Sequence, residues 1–512
     1  MLATAHSAAV LGLDAYHVAV ECDIATGQPG VNVVGMPSAA VKESRDRVWA
    51  AIKNAHFHVP AKRITINLAP AEIRKEGAAL DLPIAVGLIA AAGGVSPEAL
   101  TQYTLVGELG LDGALKPLRG VLPIAVHTRR EGKRSLIVPV ENANEAAVVD
   151  SLRIHPAQSL REVVDFLNGG TELPTHTVDV VSLFAEAARQ GVADFADVKG
   201  QETAKRALEV AAAGGHNVIM VGPPGSGKTM LAKRLSSILP PMTLEEALET
   251  TKIHSIAGTL GPQSALIAHR PFRSPHHTVS DVALIGGGMH PRPGEVSLAH
   301  HGVLFLDEMP EFKRNALEVL RQPLEDGQVT ISRAAMSLSF PAQFTLCGSM
   351  NPCPCGFLGS TVKECHCTPA MIQKYRTRLS GPLLDRIDLH VEVPQVKIEE
   401  LAGLGGGEPS ALIRERVSRA RAIQTQRFAA LEGHHCNAHM TSRMIRETCP
   451  LGRETQSLLE RAMRSLGLSA RAYDRIIKVA RTIADLAGSD AIAPPHIAEA
   501  INYRNLDRAL WE

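Results

Sequence analysis

Aromatic side chains are scarce in this chain, 4% of 512 residues, which argues against an antibody-like or aromatic-platform binding surface. Neither sign of charge is in excess. The 53 Lys and Arg balance the 53 Asp and Glu, so the formal net charge is zero. That excludes a histone-like or polybasic protein, and any polyanion must be held by local basic surface and not by a global field. Long apolar runs are missing too. The most apolar stretch, Leu82 to Val95, is too short to cross a membrane and contains Pro83, Gly87, Gly93 and Gly94. The first residues lack a basic leading region and are interrupted by Asp14 and His17, so no signal peptide is expected and a cytoplasmic location is.

What is present is globular. Hydrophobic residues make up 45% and charged residues 21%, which excludes wholesale disorder. At about 150 residues per domain, the length suggests roughly three domains. Residues 1–170 alternate β-rich stretches (Val18 to Cys22, Ile64 to Leu68, Thr104 to Gly110, Ser135 to Val140) with helical ones (Ala40 to Asn54, Ala78 to Ala92, Pro117 to Glu131), a mixed α/β pattern. Residues 171–196 suit a linker. Residues 197–395 hold apolar runs that fit buried parallel strands, Asn217 to Val221, Gly302 to Leu306 and Phe344 to Gly348. A Gly-rich joint, residues 396–410, precedes a helical segment, 411–512, in which Ile476, Val479, Ala480 and Ile483 repeat at helical spacing.

The sharpest motif is Gly222-Pro223-Pro224-Gly225-Ser226-Gly227-Lys228-Thr229. It follows an apolar strand and opens a helix, the context a phosphate-binding loop requires. Its glycines let backbone N–H groups close around phosphate oxygens, and the helix N-terminus adds its positive end. Lys228 is expected to reach the β- and γ-phosphates of ATP, and the Thr229 hydroxyl to bind Mg²⁺. Downstream, Val303-Leu-Phe-Leu-Asp307-Glu308 reads as a buried strand ending in two acids. Asp307 is expected to order the metal's water shell and Glu308 to polarise the attacking water. The combination predicts an ATPase.

Eight cysteines occur, and four crowd into one stretch as Cys353-Pro-Cys355 and Cys365-His-Cys367. Without an export signal this reads as a structural Zn²⁺ site in a reducing compartment, not a disulfide framework. Four thiolates leave no open coordination position, so no catalytic role is expected of the metal. Cys22, Cys347, Cys436 and Cys449 read as packing residues. The helix from Arg414 to Arg427 carries five arginines and one acid. It could touch nucleic acid, but a solvated helical face is the preferred reading.

The order of phosphate loop, strand with Asp307-Glu308, and Ser349-Met350-Asn351 resembles AAA+ ATPases. That resemblance puts Asn351 in the place of the sensor-1 residue. Leu383-Leu384-Asp385-Arg386-Ile387-Asp388 looks like the segment that carries the arginine finger in magnesium-chelatase-like and MCM-like members, which implies that Arg386 acts on a neighbour's nucleotide. Arg471, in Leu468-Ser-Ala-Arg471-Ala472, looks like sensor 2 of a helical lid. Arg270 to Thr278 with Gly286 to Gly288 and Pro291 to Gly294 resembles that branch's helix-2 insertion. Gly327 to Phe340 reads as two short strands around a turn, where the branch carries a hairpin facing the pore. Arg333 is the DNA-binding candidate there.

Residues 75–145 resemble the Lon-protease domain, a ribosomal protein S5 domain 2-like fold. Lys75-Glu-Gly-Ala-Ala79 parallels the nucleophile segment and Val106 to Leu118 a later one. Ala79 stands at the nucleophile position and Leu122 at the catalytic lysine position, and neither can do that chemistry. Ser38 is a tempting substitute but lies outside the matching segment.

From about residue 5 to 508 the chain looks like the YifB/ComM family of magnesium-chelatase-like AAA+ proteins. The stretches Asn67 to Gly77, Phe272 to Thr278, Asn351 to Gly356 and Ser380 to Asp388 carry the likeness. One departure is Met36-Pro37-Ser38, where a Leu-Pro-Asp type of turn is expected. The resemblance implies an α/β chain with a Lon-like N-terminal domain, an AAA+ core with a parallel sheet, and a C-terminal helical lid. It also implies an ATP-dependent DNA helicase with ATP and Mg²⁺ as cofactors, assembled as a homohexamer promoted by ATP or DNA. Its partners would be single-stranded and branched DNA during natural transformation, with no membrane. The alternative is a magnesium-chelatase-type ATPase motor subunit acting on a protein partner. An ATP-dependent protease is disfavoured by Ala79 and Leu122.

Overall fold

The computed structural model describes residues 1–512 except 76, 190–192, 262–263, 289–290, 334–335, 361–362, 397–405, 432–433 and 505–512, and except the side chains of residues 40, 187–189, 333 and 336. Arg333's side chain, Glu76 and most of the glycine joint at 403–407 therefore lie outside the described residues. The chain forms two compact units. One is Met1–Ala187 with Leu244–Ala268, and the other is Ala188–Thr243 with His269–Glu512. The segment Leu244–Ala268, which lies between the phosphate-loop and Asp307-Glu308 motifs in sequence, thus packs with the N-terminal residues, while those two motifs and the C-terminal helices share one unit. Among the described residues no helix is long and apolar enough to cross a membrane.

The first unit is built on a seven-stranded sheet in the order Gly30–Val34, Arg63–Ala69, Asp14–Ala25, Leu2–Leu11, Tyr103–Leu105, Ser135–Pro139, Arg153–Ala157. Its centre is a long antiparallel hairpin in which Leu11 faces Asp14 across a two-residue turn, with Gly12 at φ 63°. Burial alternates along the strand Arg63–Ala69, so one face is packed and the other half-covered. The helix Asp81–Ala91 is buried on every side. Its one charge, Asp81, is paired with Arg47 at 2.8 Å. Ser38 caps the helix Ala39–Asn54, its hydroxyl accepting the Val41 N–H at 3.3 Å. That is a structural duty for the serine.

The second unit is a five-stranded parallel sheet in the order Phe272–Arg273, Val303–Leu306, Thr345–Met350, Val218–Val221, Leu389–Glu392. The three apolar runs expected as buried parallel strands are three of these five, and all three are buried along their length. The hairpin Gln328–Arg333 with Met336–Pro341 is antiparallel and in register from Gln328 facing Pro341 to Arg333 facing Met336.

The helices Ser410–Arg427, Arg453–Leu466, Ala470–Leu486 and Pro494–Asn502 form the C-terminal region. Ile476, Val479, Ala480 and Ile483 join one continuous apolar core with Leu208, Ala211, Met220 and Leu389, which is why the helices and the sheet make one unit. A buried polar thread runs through that core. His216 Nδ1 meets Asp388 Oδ2 at 3.1 Å, its Nε2 meets Thr482 Oγ1 at 2.8 Å, and Arg475 reaches Asp388 at 2.9 Å.

Candidate nucleotide site

The strand Val218–Val221 lies between Thr345–Met350 and Leu389–Glu392, and the chain leaves its carboxyl end into the loop Gly222 to Gly227. In open parallel sheets ligands bind at that end, where the strand order reverses. The loop is rooted on both sides. Gly222 N–H donates to Met350 O at 3.2 Å, and Val393 N–H to Val221 O at 2.8 Å. Gly222 is demanded by close approach, since a Cβ would stand 2.1 Å from Val393 O. Gly227, at φ 90°, opens the helix Lys228–Ile238. Ser226 is buried, and its hydroxyl has no hydrogen-bond partner within the protein.

Lys228 is buried, and that burial lowers its pKa, with Asp307 and Glu308 pulling the other way. Its Nζ donates to Gly222 O at 2.7 Å, Pro223 O at 2.9 Å and Asn351 Oδ1 at 3.2 Å. Thr229 Oγ1 donates to Asp307 Oδ2 at 2.7 Å. The other carboxylate oxygen of Asp307 accepts from the Ser349 hydroxyl and from the Glu308 N–H. Glu308 is exposed and holds a left-handed φ of 52° at the head of the turn Met309–Glu311. Lys228, Thr229, Asp307, Glu308 and Asn351, drawn from three segments far apart in sequence, therefore converge at one end of the sheet.

The two arginines behave differently. Arg386 is buried, bonded to Pro382 O and to the carboxylate of Glu325 in its own chain, and its Nε has no partner. Arg471 is exposed, with Asp385 Oδ2 at 3.5 Å. The structure thus brings Arg471 beside the residue preceding Arg386, not onto the phosphate loop.

The four clustered cysteines also converge. Their sulfurs all lie within 4.8 Å of one another. Cys353 to Cys355 is 3.4 Å, Cys353 to Cys365 is 3.7 Å, and Cys355 to Cys365 is 3.6 Å. Tetrahedral sulfurs around Zn²⁺ at about 2.3 Å stand about 3.8 Å apart, so the donor set fits that ion. The Phe357 backbone N–H, and then the neighbouring thiols, draw Cys355 down to about 6. The cysteine loop abuts the phosphate loop, since a Cβ on Gly356 would stand 2.5 Å from Pro224 Cδ. Cys22, Cys347, Cys436 and Cys449 are buried and free.

Three stretches match known families. Residues 194–401 match magnesium chelatase, subunit ChlI. Residues 20–142 match subunit ChlI of Mg-chelatase, and residues 407–504 match the magnesium chelatase subunit ChlI C-terminal region. The competence protein ComM of Haemophilus influenzae is 47% identical over 99% of this chain and 98% of its own. The chain belongs to the YifB/ComM family. Another YifB/ComM relative, the uncharacterized protein YifB of Escherichia coli, is 45% identical over 99% of this chain and 98% of its own. The magnesium-chelatase 38 kDa subunit of Cereibacter sphaeroides is 26% identical over 31% of this chain and 52% of its own. A mixed α/β architecture with a parallel sheet and a helical C-terminal region accords with a magnesium-chelatase-like member of the AAA+ class.

Several residues at the site carry no motif in the sequence. Ser349, the neighbour but one of Asn351, touches the Asp307 carboxylate and the Glu308 backbone N–H. Glu325 holds Arg386. The arginine-rich helix is not chiefly a solvated face. Arg416 pairs with Glu209 and Glu408, Arg421 donates to Ala212 and Ala213 carbonyls, and Arg427 pairs with Asp485. The available signal was the run of acids and helix ends elsewhere in the chain, which carries no pairing information without the fold.

Proposed function

We propose that this chain is an ATP-driven motor that assembles as a ring, most simply a hexamer, and moves branched DNA while single-stranded DNA is integrated. The convergence of Lys228, Thr229, Asp307 and Asn351 on one loop carries the ATPase part of the reading. The extended likeness to a protein named for competence supports the DNA part.

The residues fit ATP and Mg²⁺. The glycine loop offers backbone N–H groups at a helix N-terminus, and the buried, unpartnered Ser226 hydroxyl adds a polar atom beside them. Thr229 and Asp307 are paired oxygen donors of the kind Mg²⁺ takes, and would hold it together. When bound, Mg²⁺ supplies positive charge to the phosphate oxygens. Lys228 exchanges its loop carbonyls for phosphate oxygens. Glu308 accepts a proton from water as the water oxygen bonds the γ-phosphorus and the bond to the β-phosphate oxygen breaks, giving ADP and phosphate. Asn351 orients the γ-phosphate or the water. Arg386 of a neighbouring copy stabilises the charge that develops, once freed from Glu325, and Arg471 senses the nucleotide from the lid. The four cysteines hold a structural Zn²⁺ that stiffens the segment after Asn351. The hairpin around Arg333 touches the phosphate backbone. The N-terminal unit is a Lon-like fold without proteolysis, because Ala79 and Leu122 stand where the resemblance puts the nucleophile and the catalytic lysine, and neither side chain can do that chemistry. The protein acts in the cytoplasm.

A chelatase-type motor subunit is the second reading, favoured by the matched family descriptions and weakened by the low identity to 38 kDa subunits, 26% and 23%, against 47% to the competence protein. The separating experiment is ATP hydrolysis with and without single-stranded and forked DNA at low salt, with ring formation checked. Stimulation by DNA is expected, falling steeply with salt. Rings that hydrolyse ATP at one rate whatever DNA is added would rule the motor out.

A further inference from the structure

Ser349 is fully buried near the end of the strand Thr345–Met350. Its hydroxyl donates to Asp307 Oδ1 and accepts the Glu308 backbone N–H at 3.2 Å. The same N–H reaches Asp307 Oδ1 at 3.1 Å, so the three groups close a small ring of hydrogen bonds. With Oδ1 held, Oδ2 is turned to Thr229 Oγ1. The strand and the turn pack closely against each other. A Cβ on Gly348 would stand 2.2 Å from Met309 Sδ, the residue after Glu308. Two positions beyond Ser349, Asn351 meets Lys228.

We infer that Ser349 is a positioning residue for the metal–nucleotide complex. An aspartate's terminal torsion is broad and nearly two-fold, so its rotamer alone does not decide the tilt of the carboxylate plane toward the loop. A charge-assisted hydrogen bond from a buried hydroxyl does decide it. Ser349 thereby presents Asp307 Oδ2 and Thr229 Oγ1 as one pair of oxygens for Mg²⁺. It also holds the Glu308 backbone in a left-handed conformation that a non-glycine residue rarely adopts. Both duties are set from one strand end that also places Asn351, so the metal, the base and the γ-phosphate contact share one reference point. The inference rests on the ATPase reading above.

The test is binding of a fluorescent ATP analogue to the full chain, in EDTA and across a Mg²⁺ titration. Ser349→Ala should leave affinity in EDTA within about twofold of wild type and raise the Mg²⁺ midpoint about tenfold, the size expected for losing a hydrogen bond to a charged group. Ser349→Thr, which keeps the hydroxyl, should return the midpoint toward wild type. Should the alanine variant fail to fold by thermal melting, Ser349→Cys keeps a side chain in the space but donates only weakly, and carries the same expectation. A folded Ala or Cys variant with an unmoved Mg²⁺ midpoint would overturn the assignment alone. A wild-type chain that binds no nucleotide would overturn it together with the ATPase reading.

Discussion

Arg386 and Glu325 form an ion pair within one chain, with Arg386 buried and Glu325 largely exposed. An arginine so held is not free to reach a neighbour's nucleotide. If Arg386 acts in trans, assembly must replace Glu325 with phosphate. Arg386→Ala should then cut ATP hydrolysis by about 10³-fold or more while nucleotide binding is kept, the range of arginine fingers supplied in trans. Mixing Arg386→Ala with Glu308→Gln subunits should restore part of the rate, since one supplies an intact base and the other an intact arginine. A mixture no faster than either variant alone would place Arg386 in a purely internal role.

The cysteine cluster gives a second expectation. Purified protein should carry one Zn²⁺ per chain by elemental analysis. Cys353→Ser or Cys365→Ser should lose it and lower the melting temperature, since structural zinc binding adds to folding free energy. ATP affinity should fall with it, because the cysteine loop rests on Pro224. Metal-free protein with an unchanged melting temperature would reduce the cluster to four thiols.

The buried Asp388 supplies a pH-dependent prediction. Burial alone would raise its pKa, but the His216 hydrogen bond and the Arg475 charge hold it well below the usual carboxylate range. A carboxylate depressed in the folded state contributes stability above its unfolded pKa of about 3.9, and loses it as pH falls through the lower folded value. Asp388→Asn should therefore destabilise by about 3–5 kcal/mol at neutral pH, the cost of breaking a buried ion pair. In thermal melts the part of the deficit that Asp388's own ionisation carries should narrow only below about pH 4. Wild type and variant that melt alike at neutral pH would contradict it.

The nucleotide loop was legible because its chemistry is local. Glycine spacing, the apolar strand before it and the helix after it are contiguous, and Gly222 is forced by an approach that any residue with a Cβ would block. The strand Leu2–Leu11 was not read, because its alanines, histidine and serine have weak strand preference and are held by pairing with Asp14–Ala25. The segment Leu244–Ala268 was assigned by its place between two motifs. Its packing is decided by burial, as with Ile253, and by the Ser255 hydroxyl on the Glu145 carboxylate, contacts distant in sequence. Ser349 lay in plain view beside Asn351. Its partners follow from Val303–Leu306 lying next to Thr345–Met350 with Leu306 opposite Gly348, a register no local pattern records.

The proposed motor couples hydrolysis at the Lys228–Asp307 site to movement of a DNA branch. The direct measurement is displacement of a paired strand from a three-strand branched substrate by the full chain with ATP, beside Glu308→Gln. The wild-type chain should move the branch and hydrolyse ATP faster when DNA is present, while Glu308→Gln should bind ATP and leave the branch in place. Steady hydrolysis by assembled wild-type protein with the branch unmoved would contradict it.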